Sequence, residues 1–197
     1  MHPYSINNSD KKIAYTISLV LCVVLGWIFS KGIEGIPNLN KYLWIVDVPS
    51  AFVLFGLVFK LFDVFFWKYF SKYCMFFKTP NMNGIYEGEI ISSNDNNHHT
   101  VKITIRQTLT DIRIYLKTDL TSSKSEIASI LIDEEENPII LYEYINININ
   151  TIKSALPMHR GLTRLNFNKN EKTLIGDYFT SPERKNYGKI NVKKIQM

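Results

Sequence analysis

Aromatic, cationic and hydroxyl side chains gather near the ends of the β-strands predicted in the second half of the sequence. Tyr142 and Tyr144 share one face of a strand, because alternate residues of a strand point to opposite faces. Aromatic rings stack on nucleobases, and arginine and hydroxyl groups bind phosphate oxygens. The pattern fits a nucleotide clamp and also the interior of a β-barrel, where buried tyrosines fill space. Other members of the group are Gln107, Thr110, His159, Arg160, Tyr178, Thr180 and Arg184.

The sequence predicts neither a catalytic centre nor a metal site. His98 and His99 follow an asparagine-rich turn, and no further ligands stand at zinc-binding spacing. His159 has no carboxylate at a helpful local spacing, and there is no glycine-rich phosphate loop or nucleophile elbow. Cys22 and Cys74 are the two cysteines, too few for a disulfide framework. We therefore expect a protein that is not an enzyme and has no cofactor or metal.

Eight segments with strand character follow one another from residue 84 to residue 194. Val101, Ile103 and Ile105 alternate with polar residues, a period of two that is typical of half-buried strands. With no credible helix between them, the segments predict an eight-stranded antiparallel up-and-down β-barrel, wide enough for one small ligand. The barrel would be lipocalin-like, with Tyr86 plugging one end. The predicted strands are 84–92, 100–108, 111–118, 124–132, 138–146, 159–167, 173–180 and 187–194.

Two apolar segments, at about 13–30 and 43–67, predict a transmembrane helical hairpin. Each is long enough to cross a hydrocarbon core of about 30 Å. We expect residues 1–10 to form a tail, 11–78 the membrane region and 79–197 a cytosolic β domain. Residues 1–78 contain eight basic and four acidic side chains, against fifteen and fourteen in residues 79–197. The positive-inside rule places both termini in the cytoplasm. The nearly neutral β domain argues against DNA or RNA as a partner.

Small residues recur at every fourth position of the first apolar segment and so share one helical face. Such a face lets another helix approach closely, either the second segment of the same chain or another copy of the chain. Lys60 and Asp63 are neighbours on the second predicted helix. They either neutralise each other or line an interface formed on assembly. The small residues are Ala14, Ser18, Cys22, Gly26 and Ser30.

Short motifs spread over nearly the whole chain carry a family resemblance. In the membrane region they are Val48-Pro49-Ser50, Leu61-Phe62-Asp63 and Phe66-Trp67-Lys68. In the β domain they are Pro80–Gly88, Ile105-Arg106-Gln107-Thr108, Ser123-Lys124-Ser125, Leu141-Tyr142-Glu143-Tyr144, His159-Arg160-Gly161 and Gly176-Asp177-Tyr178-Phe179-Thr180. Their order and spacing resemble the two-transmembrane, β-strand-rich effectors of bacterial cyclic-oligonucleotide antiphage signalling (CBASS). Tyr86 and Leu109 stand where that pattern has tryptophan.

The resemblance implies a mechanism. A synthase would make a cyclic dinucleotide on infection, and the cytosolic barrel would bind it. The chains would then oligomerise, and their helices would disrupt the bacterial inner membrane and kill the cell. The chain would be a multi-pass protein of that membrane, with the ligand, the lipid bilayer and other copies of itself as partners. Two alternatives are a tethered barrel that binds a lipid or apolar metabolite, and a protein-interaction module that uses an exposed strand edge.

The expected ligand-binding residues have three roles. Aromatic rings would stack on bases, arginines and hydroxyls would hold phosphates, and Gln107 would read a base edge. A bulge can shift which face of a strand points inward, so the sequence does not settle each assignment. The full set is Tyr86, Gln107, Thr110, Ser125, Tyr142, Tyr144, His159, Arg160, Tyr178, Thr180 and Arg184.

Overall fold

A computed structural model describes residues 1–5, 8–33, 43–74, 77–94, 97–119, 121–132, 137–148, 159–182 and 185–196. The chain divides into two compact units. Met1–Asn7 and Lys78–Met197 form one of them, which we call the barrel unit. Asn8–Phe77 forms the other, which we call the helical unit.

The helical unit contains helix α1 (Asn8–Ile33), helix α2 (Leu43–Leu61), a π-helical segment (Phe62–Phe66) and helix α3 (Trp67–Tyr73). Among the described residues, one stretch, Asp10–Ile28 in α1, is long and apolar enough to cross a membrane. Of the two predicted spans, the described residues therefore support one candidate. The second apolar segment is not one regular helix, because its α-helix ends at Leu61 and a π-helical segment that contains Asp63 follows.

The barrel unit is a closed barrel of nine strands, so the prediction of eight strands was wrong by one. Eight strands agree closely with the predicted segments, and each is antiparallel to its neighbour in sequence. The ninth is formed by the first residues of the chain, which we expected to be a tail. The strands are β1 (His2–Ser5), β2 (Gly84–Ser92), β3 (His98–Gln107), β4 (Asp111–Lys117), β5 (Thr121–Leu131), β6 (Ile139–Asn148), β7 (His159–Asn168), β8 (Thr173–Thr180) and β9 (Tyr187–Gln196).

Alternation of apolar and polar residues places the core inside the barrel. In β3, Val101, Ile103 and Ile105 are buried while Lys102 and Arg106 are exposed. The same period of two recurs in β4 and β7. Burial of these aliphatic side chains, at roughly 1.5–3 kcal/mol each, is the main force that holds the barrel together. The predicted strand pattern is confirmed at this level.

One end of the barrel, which we call the closed end, is filled by side chains. Gln107 is buried here: its side-chain carbonyl accepts from the Met82 amide at 2.9 Å, and its Nε2 donates to the Tyr4 hydroxyl at 3.1 Å. The Tyr86 hydroxyl donates to the Met82 carbonyl at 2.9 Å, and burial raises the pKa of Tyr86. Met82 and Tyr86 are fully buried. Ser5 and Gly84 both lie at this end.

Candidate ligand-binding cavity

The opposite end of the barrel, which we call the cavity end, contains a cavity of about 210 Å³. It forms where β2, β4, β6 and β8 end and where β3, β5, β7 and β9 begin. Its apolar wall includes Leu116 and Ile190, and tyrosine and histidine rings lie beside them. Neutral polar groups make up much of the remaining lining, among them Ser92, Thr118, Thr121, Ser123, Asn146 and Thr180.

Two of the lining tyrosines lie over glycines of the adjacent strand. Tyr144 pairs with Gly161 across β6 and β7, and Tyr178 pairs with Gly188 across β8 and β9. A Cβ at Gly161 would overlap the Tyr144 phenol, and a Cβ at Gly188 would overlap the Tyr178 ring. In both cases a backbone carbonyl oxygen is also too close to give way. The two glycines therefore set the position of both rings against the wall.

One buried hydroxyl of the cavity lining, that of Thr163, lies opposite a second buried hydroxyl, that of Tyr142, which lies beside the cavity. Tyr142 and Thr163 are 2% and 1% exposed and face each other across β6 and β7. Among the residues that the structure describes, neither hydroxyl has a hydrogen-bond partner. An unpaired buried hydroxyl costs about 1–3 kcal/mol. Thr163 lines the cavity, so a ligand there could accept from this pair.

Burial also keeps the Tyr142 phenol protonated. It raises the pKa of Tyr142 to about 12, and the nearby Thr163 hydroxyl offsets part of that rise without reaching hydrogen-bond geometry. The group therefore remains a hydrogen-bond donor throughout the physiological pH range. A buried donor beside the cavity suits a ligand that presents carbonyl, ring-nitrogen or phosphate acceptors.

The cavity contains little charge. Among the described lining residues, Asp119 is acidic and none is lysine or arginine. His99 and His159 also line the cavity. Phosphate groups bound here would therefore be held mainly by neutral N–H and O–H donors.

Arg160 lies outside the cavity. Its guanidinium is exposed and forms ion pairs with Glu126 at 3.2 Å and Glu143 at 4.0 Å. The reason is the alternation of β7, in which Thr163 and Leu165 point inward and the side chain of Arg160 points outward. The predicted role of Arg160 as a phosphate ligand stays a prediction, and its side chain does not line the cavity. Arg184 lies outside the described residues.

The structure brings together five of the eleven predicted ligand-binding residues. Tyr144, His159, Tyr178 and Thr180 line the cavity, and Tyr142 lies beside it. The edge-on contact of the Tyr144 and His159 rings, with centroids 6.3 Å apart, joins two of them.

Other predicted residues lie away from the cavity. Three of them lie at the closed end. Gln107 and Thr110 are at the turn between β3 and β4, and Tyr86 is near the start of β2. The Gln107 side chain binds Met82, Tyr4 and Pro80, so it is not placed to read a base. Ser125 lies midway along β5, where its hydroxyl accepts from the Ile114 amide.

Sequence reasoning missed several residues of the cavity. Thr163 lines the cavity and faces Tyr142, and Gly188 belongs to the arrangement through its pairing partner Tyr178. A tyrosine opposite a glycine becomes visible only when the strand register is known. Asn146, in the isoleucine–asparagine tract, was assigned no role because alternation alone does not say which residue type faces inward.

In the helical unit, the small-residue face of α1 is partly covered. Ala14 and Ser18 are fully buried, and the Cys22 thiol donates to the Ala51 carbonyl of α2 at 3.6 Å. A Cβ added at Gly26 would meet nothing within 4 Å. The side chain of Ser30 lies outside the described residues. The first half of this face therefore packs within the chain.

The charged pair of the second apolar segment is formed. Lys60 Nζ lies 3.4 Å from Asp63 Oδ2. The Lys60 side chain is 69% exposed and that of Asp63 is 2% exposed. This geometry matches mutual neutralisation, with the lysine head turned outward.

A closed barrel with one filled end and a polar, tyrosine-walled cavity at the other end has the form of a small-ligand receptor. Residues 77–194 match the family model described as Cap15, cyclic dinucleotide receptor domain. The chain belongs to this family, and the predicted relationship to CBASS effectors is confirmed.

Two curated relatives have the name CD-NTase-associated protein 15. The protein of Staphylococcus schleiferi is 30% identical over 148 residues, which cover 75% of each chain. The protein of Yersinia aleksiciae is 31% identical over 123 residues, which cover 61% of this chain and 58% of the relative.

Proposed function

We propose that this chain is a CBASS effector whose barrel unit binds a cyclic dinucleotide in the cavity. The observation that carries the proposal is the polar cavity, walled by Tyr144 and Tyr178, in a domain of the cyclic dinucleotide receptor family. Binding pockets for small molecules typically measure about 300–1,000 Å³. The cavity is smaller than this, so one base and its phosphate occupy the described lining and the rest of the ligand extends to the rim.

The residues of the cavity have distinct roles in this proposal. The Tyr144 and Tyr178 rings, held in place by glycines, stack on the bases. The Tyr142 and Thr163 hydroxyls gain a partner when the ligand enters. Neutral donors such as Asn146 hold the phosphates, since hydrogen bonds to an anion are stronger than those between neutral groups.

The barrel also supports a proposal for membrane topology. Strand β1 belongs to the same barrel as β2–β9, so residues 1–5 and 78–197 lie on the same side of any membrane. The chain between them must then cross the membrane an even number of times. If α1 crosses once, the segment that contains α2 returns. We propose that the barrel lies in the bacterial cytoplasm, in agreement with the basic residues that flank this region.

We further propose that ligand binding promotes oligomerisation and that the gathered helices disrupt the inner membrane. A ligand shifts an equilibrium only when it binds one state more tightly than the other. The cyclic dinucleotide must therefore bind the assembled receptor more tightly than the resting one. The part of the α1 face around Gly26 that has open space beside it offers a surface for contact between copies.

Binding and membrane disruption can be measured separately with the purified full-length chain. In detergent, a panel of cyclic dinucleotides should contain at least one member that raises the melting temperature, while the matching linear dinucleotides do not. The same ligand should release dye from phosphatidylethanolamine–phosphatidylglycerol vesicles that contain the protein. No response to any cyclic dinucleotide would reject the proposed ligand class. Binding without dye release would reject the membrane step.

The two alternatives fit the structure less well. A lipid carrier predicts a lumen of isoleucine, leucine and phenylalanine with tyrosines outside, yet Tyr144 and Tyr178 line the cavity. A module that pairs through a strand edge needs an open sheet, and this barrel is closed.

A further inference from the structure

Strands β4 and β5 form a fork in the barrel wall. They pair directly over three residue pairs near the cavity end, from Tyr115 opposite Lys124 to Lys117 opposite Ser122. Toward the closed end they separate, and β1 lies between them. Strand β1 pairs antiparallel with β4 through His2 and parallel with β5 through Tyr4. The first residues of the chain thus complete the wall.

The point where the fork opens is occupied by a side chain. If β4 and β5 continued in their direct register, the Ile114 backbone would pair with that of Ser125. Instead the Ile114 amide donates to the Ser125 hydroxyl at 3.0 Å, and His2 Nε2 lies 2.7 Å from the same oxygen. The backbone groups beyond this point can be satisfied in two ways, by β1 or by the opposite strand of the fork. Allosteric changes are transmitted by structural elements that can adopt two discrete arrangements.

Strand β1 is anchored by one buried ring. Tyr4 is 3% exposed, accepts from Gln107 Nε2 at 3.1 Å and donates to the Thr108 carbonyl at 3.3 Å. The strand has four residues, and two further residues separate its last residue from Asn8, the first residue of α1. Any movement of β1 therefore acts on α1 through a very short connection.

The other end of the fork reaches the cavity. Leu116 and Ser123, which face each other in the directly paired stretch, both line it. Ser123 and Ser125 are both buried and lie two residues apart on the inward face of β5. A continuous path therefore runs from the cavity through Ser123 and Ser125 to His2.

We propose that β1 is a displaceable wall strand that transmits the ligand state of the cavity to helix α1. The ligand draws β4 and β5 together at the cavity end, the direct pairing extends past Ser125, and β1 leaves the fork. This inference rests on the proposed function of the cavity as the cyclic dinucleotide site. It adds the element that couples this site to the membrane.

A disulfide that holds β1 in the fork tests the proposal. Pro3 and Asp111 are opposite each other in the β1–β4 register, and facing residues of antiparallel strands are close enough for a disulfide. The variant is P3C/D111C in a C22S/C74S chain. Oxidised, it should lose ligand-induced dye release from the vesicles. It should also bind the cyclic dinucleotide about 5–150-fold more weakly, because coupling between two sites is reciprocal. Reduction should restore both.

A matched disulfide elsewhere in the wall controls for general stiffening. Glu87 and Lys102 are opposite each other on the outer face of β2 and β3. E87C/K102C in the same background should leave dye release and affinity unchanged when oxidised. If the P3C/D111C disulfide fails to form, or forms and changes neither dye release nor affinity, β1 is not a displaceable coupling strand.

Loosening the strand should have the opposite effect. Tyr4→Ala removes the buried anchor and should give dye release without ligand. Loss of ligand binding together with dye release at the ligand-free level would overturn the proposal, since it would show that β1 merely holds the barrel together. If the C22S/C74S parent itself neither binds nor responds to any cyclic dinucleotide, the proposed function fails first and this inference fails with it.

Discussion

At the scale of single residues, position along the barrel decides which polar groups can meet a ligand. Tyr86 and Tyr142 are both buried tyrosines, yet they differ in one respect. The Tyr86 hydroxyl is satisfied by the Met82 carbonyl at the closed end, whereas the Tyr142 hydroxyl has no partner among the described residues. A buried hydroxyl without a partner is costly. We therefore expect a bound ligand to supply the acceptor for the Tyr142 hydroxyl.

Replacement of Tyr142 should separate binding from stability. Tyr142→Phe removes the unpartnered hydroxyl, so the free energy of unfolding without ligand should stay the same or rise by about 1 kcal/mol. Affinity for the cyclic dinucleotide should fall by about five- to tenfold, measured by isothermal titration calorimetry. Tyr86→Phe is the control and should lower stability by about 1 kcal/mol without changing affinity. A loss of affinity in the control alone would place the ligand at the closed end.

Replacement of Arg160 tests the outward position of its side chain. Arg160→Ala breaks exposed ion pairs with Glu126 and Glu143, which contribute about 0–1 kcal/mol to stability. Because the side chain points away from the cavity, affinity for the cyclic dinucleotide should stay within about twofold of that of the parent chain. A twofold change corresponds to about 0.4 kcal/mol of binding free energy. A tenfold loss would show that the guanidinium turns to the ligand on binding.

At the scale of elements, strand register turns scattered residues into a site. The tyrosine–glycine pairs of β6–β7 and β8–β9 place two rings in the cavity wall. The sequence of a single strand does not reveal these pairs. Each glycine is needed here because it leaves space for the facing tyrosine ring, and not because of its backbone angles.

A methyl group at Gly188 should disturb one wall of the cavity. Gly188→Ala places a Cβ against the Tyr178 ring and the Ile91 carbonyl, so the ring must move. We expect a loss of ligand affinity of about tenfold or more and a lower melting temperature. The neighbouring Lys189 is exposed, and Lys189→Ala should change neither quantity. Unchanged affinity in Gly188→Ala would mean that the position of Tyr178 does not matter for binding.

At the scale of the whole molecule, the chain builds one barrel from two separate segments. Strand β1 shares a sheet with strands β2–β9, although the helical unit lies between them in sequence. This arrangement limits the possible membrane topologies more strictly than the charge of the flanking residues does. It also gives the first residues, which have little hydrophobic pattern of their own, pairing partners in β4 and β5.

The proposed even number of crossings can be measured by cysteine labelling in a C22S/C74S chain. Asn38→Cys, between the two apolar segments, should react with a membrane-impermeant maleimide in intact spheroplasts. Lys124→Cys, on the exposed outer face of β5, should react only after lysis. Labelling of both positions, or of neither, before lysis would contradict a hairpin with the barrel in the cytoplasm.

The sequence by itself determined the strands of the barrel, since alternation such as that of Val101, Ile103 and Ile105 is a local property that burial on one face imposes. It also determined the family and four of the residues that line the cavity. Tertiary structure decided which end of the barrel is filled, and with it the separation of Gln107 from the cavity. It also decided that Arg160 points outward, that glycines support two tyrosines, and that the first residues complete the wall. These features depend on register and on contacts between residues distant in sequence, which no local pattern records.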